Sequence, residues 1–132
     1  MTFPAKILLV DDEAHIRKFV GLILKQLGKA TLFEAANGEE AVALYERERP
    51  DLVLLDVNMP VMDGLEALRK ISQLDPDCAV IMLTSLANRQ TIDQAVELGA
   101  LNYIRKDTPK DEISKSLLET IQAHFTDEPP AP

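Results

Sequence analysis

The sequence predicts an α/β fold, a doubly wound five-stranded parallel sheet, on three observations. Five short runs rich in Val, Ile and Leu begin near Ile7, Thr31, Leu52, Ala79 and Leu101. They barely alternate with polar residues, as strands buried on both faces do. Between the runs, apolar residues recur at helical spacing. Polar side chains also stand at the ends of four runs: Asp11-Asp12, Asp56, Thr84 and, just beyond Tyr103-Ile104, Lys106. Strand–helix alternation implies right-handed crossovers with helices on both faces. For five strands the common order is 2-1-3-4-5.

The elements follow in turn. After the first run, Lys6–Val10, the stripe Ile16, Phe19, Val20, Ile23 and Leu27 predicts a helix, and Gly28 stands where a C-cap favours a left-handed residue. The second run, from Thr31, leads to Asn37, three residues before Glu40; this capping-box spacing opens a helix with the stripe Ala41, Leu44 and Tyr45. The third run, Leu52–Leu55, ends at Asp56, and Asp63 with Glu66 repeats the capping spacing. The fourth run ends at Thr84, followed by the stripe Ile92, Ala95 and Val96 and by Gly99 as a second left-handed cap. After the fifth run, Thr108-Pro109-Lys110-Asp111 reads as a cap residue and a proline at the first helical position. This last helix is expected to reach about His124, with Ile113, Leu117 and Ile121 on one face. The polar, proline-rich residues 126–132 read as a disordered end or the start of a linker, so the domain is expected over 5–125.

Composition narrows the function. The chain has 132 residues, one domain's length, and 46% apolar residues, which argues against intrinsic disorder. No apolar run approaches the roughly 20 residues that span a bilayer. The first residues lack the charged-then-apolar layout of a secretory signal, so a cytoplasmic location without membrane attachment is the expectation. A net charge of -8 with scattered Lys and Arg argues against direct nucleic-acid binding. The only cysteine, Cys78, excludes an internal disulfide and a thiolate-rich metal site, and reads as a partly buried small apolar residue.

Under the 2-1-3-4-5 order, Asp11, Asp12, Asp56 and Thr84 come side by side at the carboxyl edge of the sheet, where open α/β folds place ligands, and Lys106 closes the far side. Three carboxylates there repel unless one is protonated or a cation lies among them. Mg2+ suits such a site, being a hard ion with oxygen ligands, and it attracts phosphoryl groups. Asp56, alone at the end of the central strand, is the best nucleophile, forming an aspartyl phosphate. Thr84 and Lys106 are placed to hold phosphoryl oxygens.

Asp11-Asp12, the stretch from Asp56 through Asn58, Met59, Pro60 and Asp63 to Gly64, the pair Thr84-Ser85 and Lys106 together resemble the receiver domain of two-component response regulators, including the chemotaxis regulators. The resemblance covers about residues 5–125 and is specific only jointly. It implies a flavodoxin-like receiver fold and a phosphoprotein of phosphorelay signal transduction. In that reading a sensor histidine kinase or phosphotransfer protein donates to Asp56. Mg2+ is bound by Asp12 and Asp56, by the backbone carbonyl of Asn58, and by Asp11 mainly through water. Thr84 and Tyr103 form the switch, and the fourth helix, fifth strand and fifth helix, about residues 88–122, change their surface to recruit a downstream effector or a second copy in a phosphorylation-dependent homodimer. The module catalyses only its own phosphorylation and dephosphorylation. Asn58 and Leu86 flank the path of the attacking water, and Leu86 cannot orient one, which predicts slow self-hydrolysis.

One departure concerns the lysine. Many receivers place a cis proline directly after it, whereas Asp107 follows Lys106 here. A cis bond at a non-proline residue costs about 2.5–4 kcal/mol, so the loop is either trans, with Lys106 reoriented, or strained. Asp107 is an acid at the pocket mouth, available to Lys106 or Lys110.

Simpler readings stand beside each residue. Asp11-Asp12 and Thr84-Ser85 are also plausible helix caps, Asp63 is better read as a cap than a ligand, and Lys106 alone is an ordinary surface lysine. Tyr103 also fits plain strand core. His15 and His124 read as solvent-facing, and Met59 and Met62 as loop packing. A phosphatase of the haloacid-dehalogenase type is the enzyme alternative, but it requires a second acid two residues after the nucleophile, where Asn58 stands. A phosphorylation-independent scaffold, and a receiver portion of a longer transcription factor or hybrid kinase, are the remaining alternatives.

Overall fold

The computed structural model describes residues 3–85 and 88–125, so Leu86 and the tail 126–132 lie outside the described residues. Elements alternate without exception along the described chain: β1 (Lys6–Val10), α1 (Ala14–Leu27), β2 (Thr31–Ala35), α2 (Gly38–Glu48), β3 (Leu52–Leu55), α3 (Gly64–Leu74), β4 (Val80–Thr84), α4 (Arg89–Glu97), β5 (Asn102–Arg105) and α5 (Lys110–His124). The strands pair in parallel in the order β2-β1-β3-β4-β5.

Because strand side chains alternate between faces, each strand feeds two cores. Ile7, Leu9, Leu52, Leu54, Ile81 and Leu83 meet α1 and α5 through Ile23, Leu24, Leu117 and Ile121. Their neighbours Leu8, Val10, Val53, Leu55, Val80 and Met82 meet α2, α3 and α4 through Ala41, Tyr45, Leu68, Ile71 and Ala95. The three inner strands are buried along nearly their whole length, which is why their sequences read as continuous apolar runs.

The caps are mostly as expected. Asn37 accepts from Glu40 N at 2.9 Å, and the Glu40 carboxylate reaches back to Ala36 N. Asp63 accepts from Glu66 N at 2.9 Å, and Gly99 has a φ of 96°. Two expectations are corrected. Gly28 is extended (φ -177°), not left-handed; what keeps it small is the ring of Phe3, which an added Cβ would meet at 2.6 Å. Pro109, not Thr108, is the N-cap of α5, and it supplies no side-chain bond.

Helix α3 is tied to its neighbours by polar contacts. The buried Tyr45 hydroxyl donates to Asp75 at 2.8 Å across the α2–α3 boundary, and burial followed by the Asp75 carboxylate raises its pKa well above the usual value. Ser72 donates to the Leu98 carbonyl at the end of α4 (3.2 Å) and lies 3.8 Å from the Cys78 thiol, whose pKa burial raises. His15 and His124 are exposed, while Met59 and Met62 pack against the second core.

Candidate functional site

Strand register builds the site. Val10 pairs with Leu55, so the residues after them, Asp11 and Asp56, emerge side by side. The Asp56 N–H donates to the Val10 carbonyl (3.0 Å) and the Asp11 N–H to the Ala35 carbonyl (3.1 Å), which carries the ladder one residue beyond the strands. Thr84 closes β4, and the Lys106 N–H donates to its carbonyl at 2.9 Å. The register brings together the groups that the sequence scattered over 96 positions (11 to 106).

Asp11 and Asp56 are buried, and Thr84 is fully so. The Lys106 ammonium bridges both carboxylates, lying 3.0 Å from Asp56 Oδ2 and also pairing with Asp11 Oδ2. Asp56 Oδ1 accepts from Val57 N at 2.8 Å, so both oxygens of this carboxylate are oriented. Asp11 Oδ1 accepts from Glu13 N at 2.9 Å, a local turn ahead of α1; the N-cap of that helix is Glu13, which has no side-chain cap bond, so neither Asp11 nor Asp12 caps it. Thr84 and Ser85 do not cap α4; Asn88 does, through Thr91 N.

Burial, and secondarily the Asp11 charge, raise the Asp56 pKa against the opposing pull of Lys106. Burial disfavours the Lys106 ammonium, but hydrogen bonds to Asp11 and Asp56 outweigh it and raise its pKa. Asp12 is exposed, and carboxylate oxygens of Asp11, Asp12 and Asp56 lie within 4.8 Å of one another. Three carboxylates against one ammonium leave two negative charges in a small volume. A hard divalent cation fits both that charge and that donor set. Asn58 is exposed on the loop after Asp56, and Asp63 is occupied as a cap.

Tyr103 is half-buried on β5, with its hydroxyl hydrogen-bonded to Thr84; burial raises its pKa while that bond acts the other way. The Lys106–Asp107 peptide is trans. Lys106 nonetheless reaches both acids. Asp107 pairs with neither Lys106 nor Lys110, as it is held by the Arg105 guanidinium through bonds of 3.0 and 2.7 Å. The Arg105 guanidinium thus occupies the acid that the sequence left available to the two lysines.

Sequence reasoning missed two supports. Gly64 donates to the Val57 carbonyl at 2.7 Å, and a Cβ on it would collide with the Asp56 carbonyl oxygen. The Asp63-Gly64 pair signalled a helix start, but only the fold brings that start onto the Asp56 backbone. Arg17, on the polar flank of α1, donates to the Asp11 carbonyl at 2.6 Å. Nothing in its spacing marks it out from other helical arginines.

Comparison with known proteins gives a consistent picture. The family model of the response regulator receiver domain matches residues 7–118. Chemotaxis protein CheY of Bacillus subtilis is 35% identical over 116 residues, covering 88% of this chain and 97% of its own. Sporulation initiation phosphotransferase F of the same organism is 42% identical over 108 residues, 82% of this chain and 86% of its own. Among solved structures, a chain of the CheX-CheY-BeF3-Mg+2 complex from Borrelia burgdorferi superposes with a TM-score of 0.84 at 31% identity, over 95% of this chain and 92% of that one.

Proposed function

Since this chain belongs to the response regulator receiver family of two-component signalling, we propose that its phosphoacceptor is Asp56 and that phosphorylation there controls partner binding. The observation that carries this reading is the single ammonium of Lys106 shared by two buried carboxylates at the sheet edge, next to a buried Thr84 hydroxyl. A histidine kinase or phosphotransfer protein presents a phosphoryl group to the pocket. An Asp56 carboxylate oxygen forms the new P–O bond as the donor's P–N bond breaks, and the departing imidazole keeps the electron pair.

Receiver domains bind Mg2+ at this acidic pocket, and a relative crystallised in a complex with BeF3 and Mg2+. In this chain Asp11, Asp12, Asp56 and the Asn58 carbonyl would hold the ion. When bound, it offsets negative charge between carboxylates and phosphoryl oxygens. Lys106 then exchanges its bond to Asp56 for a phosphoryl oxygen, and Thr84 donates its hydroxyl to another. Tyr103, already bonded to Thr84, follows that movement, so the chemistry reaches the face of α4, β5 and α5 at residues 88–122. That face recruits an effector or a second copy. The reading also places the domain at 5–125, in the cytoplasm, with no catalysis beyond its own phosphorylation and dephosphorylation.

The test is intact-mass spectrometry after incubation with acetyl phosphate, with and without Mg2+, on the wild type and Asp56→Asn. One Mg2+-dependent phosphoryl adduct, absent from the variant, is the expected result. An adduct that persists in Asp56→Asn places the acceptor elsewhere. No adduct on the wild type, together with no beryllofluoride binding, leaves a phosphorylation-independent scaffold.

A further inference from the structure

Arg17 ties the acidic pocket to the edge of the sheet. Its side chain is largely buried, with 17% exposed, although α1 is a surface helix. One guanidinium nitrogen donates to the Asp11 backbone carbonyl at 2.6 Å, and Nε bonds the Glu34 carboxylate of edge strand β2 at 2.8 Å. Arg17 also lines a small cavity of about 10 Å3 with Leu9, Asp11, Ile16, Val20 and Leu54. An arginine fork held at both ends loses little further freedom per bond.

The Asp11 carbonyl belongs to the peptide that joins Asp11 to Asp12. The Asp11 side chain has its own anchors in Glu13 N and Lys106. Asp12 has none: its exposed carboxylate makes no hydrogen bond or ion pair among the described residues. The backbone from which it grows includes the peptide that Arg17 holds, so Arg17 limits the positions from which the Asp12 side chain starts. We infer that Arg17 is a positioning residue for Mg2+ binding, acting through the Asp11–Asp12 peptide to aim Asp12 at the ion. The inference rests on the receiver reading of the acidic pocket.

Coulomb's law makes the inference testable by sign. Removing a cation from beside a cation site should by itself tighten Mg2+ binding. Removing a positioning contact should weaken it, and losses of about tenfold are typical when the partner of a metal-ligating group is removed. The experiment is an Mg2+ titration followed by heteronuclear NMR on wild type, Arg17→Met, Asp12→Asn and the double variant, with a thermal melt of each. Arg17→Met is expected to weaken Mg2+ about tenfold in the wild-type background and by less than about twofold in the Asp12→Asn background, because coupled residues do not add. Unchanged or tighter binding in Arg17→Met overturns the inference. So does an equal tenfold loss in both backgrounds, which would mark a general effect on the fold. Arg17→Lys keeps the charge and loses the fork; if Arg17→Met does not fold, it carries the same comparison, with a severalfold loss expected only where Asp12 is present. A wild type without Mg2+-dependent shifts removes the metal-binding reading of the pocket, a result distinct from the others.

Discussion

At the scale of single residues, the pocket is a charge-balancing device. Lys106 holds two buried carboxylates together, and breaking a buried pair from one side strands the other charge. Lys106→Met should therefore lose about 3 kcal/mol or more of stability at neutral pH. The Asp56 pKa is already raised by burial and rises further without the ammonium. A carboxylate with a raised folded pKa adds stability at low pH and loses it as pH climbs through that pKa. The deficit of Lys106→Met should accordingly shrink on acidification, in urea titrations run at pH 7 and near pH 4. A deficit independent of pH would mean that packing of the lysine stem, not charge, is what the variant lost. The five pocket residues were legible in the sequence because parallel strands put their ends at one edge. Arg17 and the Tyr45–Asp75 bond were not, since each joins groups whose proximity depends on how helices sit on the sheet.

At the scale of elements, the loop from β3 to α3 is held tightly at both ends. Gly64 lies against the Asp56 carbonyl, and Gly38 N donates to the Met62 carbonyl at 3.0 Å. Gly64→Ala sets a methyl group against backbone that has no rotamer to yield, so a loss of about 3 kcal/mol and a shifted Asp56 are expected. Chemical denaturation and the phosphorylation rate check the two halves. Between these ends, Met62 N donates to the Pro60 carbonyl at 2.7 Å across Val61, which has a φ of 69° and is exposed. This is a γ-turn with a β-branched residue at its centre, a costly choice. Val61→Asn should raise stability by about 1 kcal/mol, since asparagine tolerates positive φ; an unchanged urea midpoint would show that the turn carries no strain. Nothing in the residue pattern warns of the turn, because valine is the last residue that pattern reading would place there.

At the scale of the whole molecule, function opposes stability. The two-sided core is apolar and closely filled, and the principal exception is the acidic pocket at one end of the sheet. Asp56→Asn removes a desolvated charge while Lys106 keeps Asp11, so the fold should gain on the order of 1 kcal/mol at neutral pH. By the same sign rule the gain should vanish below the ordinary carboxylate range, where Asp56 is protonated whether folded or not. Urea midpoints across about pH 3 to 7 test this, and a loss of stability at neutral pH would mean that the Lys106 pairing outweighs burial.

The Ser72 hydroxyl between α3 and α4 has a practical consequence. It faces both the Leu98 carbonyl and the chain's single thiol, so a shift of α4 changes what surrounds Cys78. The native protein thus carries its own stopwatch. The rate at which an uncharged thiol reagent labels Cys78 should change when beryllofluoride is bound at the proposed acceptor and stay fixed in Asp56→Asn. Conformational exchange at α4 would then be timed with no tag, dye or added residue.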